Sequence, residues 1–433
     1  MPWTGSGAPA GSPALPQDLG RGDSRTAWPH RGVVASHSLI DMLVAATALA
    51  FLLGFLAQRL KLPPLVGYML AGVAVGPHTP GYVGDIDLAR QMAEIGVILL
   101  MFGVGLKISV GDLWAARRVA IPGAIVQMGV ATLLGLVAGR YLLGFGLRES
   151  LVLGVSLSVA STVVLLRALE ARRMVDTTAG RLVIGWLVVE DIAIVLTIVA
   201  LPALAASFDA AGAVQGQLGL TLALTFLKIA AFVGLMVLVG SRLFPWLIVR
   251  VAHARSRELL SLGTLALALG MAWVAYSVFD ASFALGAFLA GVALNGTRMA
   301  GNVAEHSLPL RDTFAVLFFV AVGMLFDWRI LVDRPGSVLL LVGIIVVGKG
   351  LAAFLIARAL GTPRPDSLYA AAALAQIGEF SFVLAGMGLA LSILSAEAHG
   401  LVLAAALISI LLNPLLFRMA GRAAQRQGEV APA

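Results

Sequence analysis

The sequence predicts an all-α polytopic membrane protein of about thirteen transmembrane helices. Three observations carry this expectation. Of the 433 residues, 60% are apolar and only 12% are Asp, Glu, Lys or Arg, where a soluble domain carries about 25% charged residues. The mean hydropathy is +0.97. A chain this apolar lacks the polar atoms to cover a water-facing surface, so the bilayer is its solvent. The basic residues fall into alternate gaps between the apolar runs, as topology signals do.

A span needs about 20 mostly apolar residues. Such runs lie near 39–58, 63–80, 88–106, 118–139, 149–169, 180–203, 217–241, 258–278, 281–297, 310–327, 336–357, 367–390 and 395–417. The second and ninth are short and glycine-rich, and the eighth and ninth are joined around Asp280. Residues 1–38 are rich in Gly, Pro, Ser and Ala without an apolar period, and are expected to be a disordered tail. The domain reading is that tail, a transmembrane unit over 39–418 and a short cytoplasmic tail over 419–433.

With the N-terminus outside and the C-terminus cytoplasmic, the inner loops carry roughly twenty Lys and Arg against five outside. The inner set includes Arg59, Lys61, Arg172, Arg173, Arg250, Arg255, Arg298, Arg364 and Arg426. The outer set is Arg90, Arg140, Arg148, Arg329 and Arg334. Arg21, Arg25 and Arg31 in the N-terminal tail dissent. The net charge of +7 is therefore a topology signal rather than a nucleic-acid footprint. No cysteine is present, which excludes disulfides, thiolate metal sites and cysteine nucleophiles. No H-E-x-x-H and no G-x-x-x-x-G-K-[ST] occurs, and the six histidines do not cluster as ligands. These patterns predict no enzyme, no metal site and no cofactor beyond a transported ion, with ion gradients driving any transport.

An odd number of spans suggests two six-helix halves, first to sixth and eighth to thirteenth, with the seventh as linker and the halves inverted. The fifth helix of each half is polar. The first carries Ser156-Leu-Ser-Val-Ala-Ser161-Thr162, and the second carries Gln376-Ile-Gly378-Glu379-Phe-Ser381. Serine, glycine and alanine also serve plain helix packing. Their matched places in the two halves favour discontinuous helices that meet near the midplane.

Ionisable residues at bilayer depth are costly and mark function. Glu190 and Asp191 sit mid-span in Gly185-Trp-Leu-Val-Val-Glu190-Asp191. Neighbours on a helix point about 100° apart, so one of the two should face an ion cavity more directly. A carboxylate there holds either a proton or a cation, but not both well. The alternative is a structural pair bonded to other helices. Lys349, in Val347-Gly-Lys349-Gly350, can pair with Asp191 or Glu190, or snorkel to the interface. Glu379 either balances helix ends at the second break or joins a proton path. Lys228 in the linker span reads as a snorkelling or headgroup contact, and Glu94 as interfacial.

At these residues the chain resembles the monovalent cation:proton antiporter-2 superfamily, especially its Kef-type potassium/proton branch. The resemblance runs from Leu39 to Arg418 and rests on several stretches taken together. They are Ala93-Glu-Ile-Gly-Val-Ile-Leu-Leu-Met-Phe-Gly-Val-Gly-Leu106, Ser158-Val-Ala-Ser-Thr-Val-Val164, Trp186-Leu-Val-Val-Glu-Asp-Ile-Ala193, Leu285-Gly-Ala-Phe-Leu-Ala-Gly291, Phe318-Phe-Val-Ala-Val-Gly-Met324 and Gln376-Ile-Gly-Glu-Phe-Ser-Phe382. The resemblance implies a sodium/proton-exchanger-like fold with a dimerisation domain and a mobile core. It also implies elevator-like alternating access, a homodimer in the inner membrane, and exchange of potassium, in preference to sodium, for protons. It casts Asp191 as the main ion and proton carrier, helped by Glu190, Ser161 and Thr162. Lys349 becomes the competitor for the carboxylate, with Gln376 and Glu379 on the second broken helix.

The chain departs from the family pattern in three places. Glu190 stands where relatives carry Asn, Gln or Asp, a position linked to electroneutral or electrogenic exchange. Lys107 stands where many have an acidic residue. Kef-type proteins add a cytosolic nucleotide-binding domain after the last span, where this sequence stops; the expectation is a shorter, unregulated branch member, a truncation, or regulation by a separate subunit. The rival reading is a gated potassium efflux channel, although no T-V-G-Y-G-like filter is present. An anion or organic-acid transporter using Lys349, or an ion-sensing protein with little flux, are the remaining alternatives.

Overall fold

The structure is a computed structural model of the whole chain. It describes residues 39–80, 84–107, 110–170, 172–175, 177–206, 227–228, 230–253, 256–279, 281–295 and 300–425. The predicted N-terminal tail, Asp280, Arg255, Arg298, Arg426 and the first part of the seventh predicted span lie outside these residues.

The described chain is helical throughout. α1 spans Leu39–Arg59, α2 Pro64–Val75, α3 Ile86–Lys107 and α4 Val110–Val137, the last ending in a wide π turn over Ala138–Leu142. The fifth predicted span is two pieces, α5 (Leu147–Ser158) and α6 (Thr162–Glu170), followed by α7 (Thr178–Ala206). Next come α8 (Ala230–His253), α9 (Arg257–Phe279), α10 (Phe283–Leu294) and α11 (Ala300–Met324). A single turn, α12 (Ile330–Asp333), leads to α13 (Pro335–Ala359). The twelfth predicted span is also divided, into α14 (Arg364–Leu374) and α15 (Glu379–Ala390), and α16 (Ala396–Gln425) closes the chain. Among the described residues, nine segments are long and apolar enough to cross a membrane, and α2 and α10 are shorter apolar helices.

Local chemistry sets several of these boundaries. Pro63 and Pro64 open α2, where proline's missing N–H costs nothing, and Gly76 closes it. Ser282 caps α10 by accepting from the Leu285 N–H at 3.2 Å. Four boundaries differ most from the sequence expectation; among them, α4 begins at Val110 rather than near 118, and α16 runs to Gln425 rather than ending near 417. The tenth span begins at Ala300 rather than near 310. The seventh was expected to end near 241, yet its helix continues to His253. Arg242 and Arg250 end the apolar window there, but long basic side chains fit a helix end. Arg242 donates back to the Leu238 carbonyl at 2.8 Å, and Arg250 lies 4.9 Å from the Trp246 ring.

The helices sort into two bundles by their contacts. One holds α1, α2, α3 and α8–α11; the other holds α4–α7 and α13–α16. They meet where α10 touches α7 and α16 touches α2, and where the Phe319 and Phe382 rings meet edge-on at 6.3 Å. Within the first bundle, glycines let backbones touch. Gly72 of α2 lies against Gly323 of α11, and Gly105 of α3 against Gly291 of α10. Burial places the broken helix at the centre of the second bundle. The α14–α15 segment is 83% buried, against 22% for α1, whose Phe51, Leu52 and Phe55 face outward.

Candidate functional site

Both breaks in the second bundle fall at the polar sequences, and they cross. α5 stops at Ser158 and α6 restarts at Thr162; α14 stops at Leu374 and α15 restarts at Glu379. Gly378 sits on Ser161: a Cβ at 378 would lie 2.8 Å from the Ser161 nitrogen and closer still to its Cα and Cβ. Only glycine permits this approach without moving a helix.

The groups freed by the breaks are satisfied across the crossing. Gln376 accepts from the Ser161 N–H through Oε1 at 3.2 Å and donates to the Ser161 carbonyl through Nε2 at 3.1 Å. The amide thus satisfies the freed Ser161 N–H and adds a second donor to the Ser161 carbonyl, which also accepts from the Leu165 N–H at 3.1 Å. The Ser161 hydroxyl donates to Glu379 Oε2 at 2.8 Å and accepts from the Val164 N–H at 3.2 Å, capping α6. Glu379 opens α15, where a carboxylate complements the positive helix end.

α7 runs past this crossing and presents its two carboxylates to different parts of it. Glu190 Oε2 accepts from the Ala160 N–H at 2.9 Å. Asp191 accepts from the Thr162 hydroxyl at 3.2 and 3.0 Å on its two oxygens. Glu190 is fully buried and Asp191 is 7% exposed, so Asp191 is the more open of the two. Lys349 is fully buried, which rules out snorkelling. It ends a π turn over Ile344–Lys349 in α13 and donates to the Gln376 carbonyl at 3.3 Å. Its charge acts on Glu190, one of the two partners expected for Lys349.

All seven residues singled out in the sequence therefore converge: Ser161, Thr162, Glu190, Asp191, Lys349, Gln376 and Glu379. Lys228 and Glu94, read as peripheral, are exposed. Three buried polar residues of the same bundle escaped the sequence analysis. Ser409 accepts from the Ile377 N–H at 3.4 Å, and Asn413 donates to the Ala372 carbonyl at 2.8 Å, both from α16. They are a polar pair at helical i, i+4 spacing inside an apolar span, which is the signal that would have found them. Gln127, a fully buried amide on α4, is the third.

Comparisons with known proteins agree with this arrangement. The family described as "Sodium/hydrogen exchanger, transmembrane" matches residues 46–420. YbaL of Escherichia coli (strain K12), provisionally named a cation/proton antiporter, is 52% identical over 88% of this chain and 68% of its own length. The glutathione-regulated potassium-efflux system protein KefC of Klebsiella pneumoniae is 34% identical over 88% of this chain, which spans 60% of that relative. The solved structure of the sodium proton antiporter MjNhaP1 from Methanocaldococcus jannaschii superposes with a TM-score of 0.68, covering 88% of this chain and 97% of the other at 16% identity, which shows a shared fold. By the match over 46–420 and by its similarity to YbaL, this multi-pass membrane protein belongs to the sodium/hydrogen exchanger family of transporters.

Proposed function

We propose that the protein exchanges a monovalent cation for protons by alternating access, with potassium favoured over sodium and no cofactor beyond the transported ions. The observation that carries this reading is the Thr162–Asp191 contact at the crossing of two broken helices. A carboxylate, a hydroxyl and helix ends meet there at low exposure. Asp191 binds the cation when deprotonated and releases it when protonated, because one buried carboxylate cannot hold both well. Thr162 orients Asp191. Gln376, Ser161 and Glu379 keep the two breaks aligned, and Lys349 supplies a charge beside Glu190 when no cation is present. Potassium is favoured because the 34%-identical KefC is named for potassium efflux.

An inverted repeat of two six-helix halves within thirteen spans fits the same reading. Leu65-Val-Gly-Tyr-Met-Leu-Ala-Gly-Val-Ala-Val-Gly76 and Ala284-Leu-Gly-Ala-Phe-Leu-Ala-Gly-Val-Ala-Leu-Asn295 agree at six of twelve positions. Their contacts also correspond. Gly67 packs on α1 and Gly286 on α9, while Gly72 packs on α11 and Gly291 on α3. These are the pairs that exchanging the halves would produce. The helices α1–α3 and α8–α11 then form the fixed, dimerising part in an inner membrane, and α4–α7 with α13–α16 the moving core. The N-terminus lies outside and the C-terminus inside, where a separate regulatory subunit would act. The transmembrane unit covers 39–418.

The test is a pH-sensitive dye in proteoliposomes holding a proton gradient, with potassium and then sodium added to wild type and Asp191→Asn. Proton movement on one cation in wild type alone supports the reading and names the substrate. Potassium flux down its own gradient without proton movement would instead identify a gated efflux channel.

A further inference from the structure

Close glycine contacts fix the register of α4 against its neighbours. Gly139 lies against Ser150 and Gly135 against Gly154, so α4 and α5 run antiparallel. Continued to the end of α5, that register sets the Ala160 turn beside the part of α4 between Gln127 and Ala131. The Ala160 N–H is bonded to Glu190. Independently, Trp186 of α7 lies against Gly123 of α4. Trp186 is one helical turn before Glu190, and Gly123 is one turn before Gln127. Gln127 and Glu190 therefore share a level at the α4–α7 interface.

The polar atoms at that level are incompletely bonded. Glu190 Oε1, both side-chain polar atoms of Gln127 and the Trp186 indole nitrogen are buried and make no hydrogen bond among the described residues. Gln127, Glu190 and Trp186 are each 0% exposed. The surroundings are otherwise apolar, with Ala120, Ala124 and Leu187 packed in the same cluster. Buried polar atoms are paired in native proteins, and a buried water needs two to four polar partners. Here one short stretch of interface offers four such atoms, including two donors and two acceptors.

We propose that Gln127 is a positioning residue of the transport site, holding buried water against the free oxygen of Glu190 on the α4–α7 side, apart from the Thr162–Asp191 face. It acts on proton exchange at Glu190 rather than on the cation directly. The other groups facing Glu190 are Lys349 from α13, Asp191 next to it on α7, the Ala160 N–H and, through Ser161, Glu379 from α15. None of these satisfies Oε1. The proposal rests on the exchange reading above, so its test includes an arm that needs no transport.

The variants are Gln127→Leu and the near-isosteric Gln127→Met, both in the full chain, so that no decision hangs on one variant's folding. In proteoliposomes the pH of half-maximal cation-dependent proton movement should move by about one unit or more, because a hydrogen bond to an ionised group is lost. The direction is alkaline, since the charged carboxylate loses more than the neutral acid. In detergent, acid-minus-neutral infrared difference spectra should show a carboxyl band that Glu190→Gln removes. In the Gln127 variants this band should move to higher frequency. A folded Gln127 variant whose carboxyl band and titration coincide with wild type overturns the assignment, whether or not the protein transports. A wild type that moves no protons on either cation overturns the exchange reading alone, and the infrared result still decides the role of Gln127.

Discussion

Gly378→Ala strikes the crossing at its narrowest point. The added methyl would meet the Ser161 backbone, 2.8 Å from its nitrogen and nearer to its carbons. Ordinary carbon contacts sit at about 3.5–4.0 Å, so the breaks must part by on the order of 1 Å. Overpacking of this kind costs about 1–3 kcal/mol. The opening also stretches the two Gln376–Ser161 bonds at 3.1 and 3.2 Å and the Ser161–Glu379 bond at 2.8 Å. Losing two or three such bonds adds roughly 2–4 kcal/mol. The expected total is about 3–7 kcal/mol, with cation-dependent proton movement nearly abolished. Gly386→Ala on the same helix is the control. No atom lies within 4 Å of its added Cβ, and a helical Gly→Ala change gains up to ~1 kcal/mol. Apparent melting midpoints in detergent and dye-monitored exchange in proteoliposomes read both variants. If Gly378→Ala melts and transports like wild type, the close crossing and the role given to it are wrong.

Gln376→Leu should cost about 1–3 kcal/mol, because it strands the N–H of Ser161 in the core while its carbonyl keeps the Leu165 N–H; thermal unfolding in detergent reads this, and an unchanged midpoint would refute the bridging role. Lys349→Met should destabilise by about 3 kcal/mol by leaving Glu190 without its charge partner. Adding Glu190→Gln should recover much of that loss, and a double-mutant cycle with no coupling would separate the two groups. Outside the spans, the Arg329 guanidinium bonded to Asp327 at 2.9 Å holds that carboxyl below its ordinary range. A depressed folded value means the contribution is complete above the unfolded value, about 3.9, and is lost as pH falls through the folded one. The wild-type melting midpoint should therefore fall slightly more than that of Asp327→Asn between pH 4 and pH 2.5, the effect being small because the pair is well exposed.

Composition and basic-residue placement alone determined that the chain is a helical membrane protein, because lipid leaves the backbone few alternatives. The sequence also exposed the site residues, since Ser161, Gln376, Glu379, Glu190, Asp191 and Lys349 stand out against apolar spans where polar groups are expensive. Tertiary structure decided the pairings: Thr162 with Asp191, Ala160 with Glu190, and Lys349 with the Gln376 carbonyl. It also enlisted Ser409 and Asn413 from a helix whose polar residues resembled ordinary packing. These choices were not legible in the chain because a helix's sequence fixes which residues share its face, while the rotation and depth at which that face meets its neighbours come from packing among residues far apart in sequence.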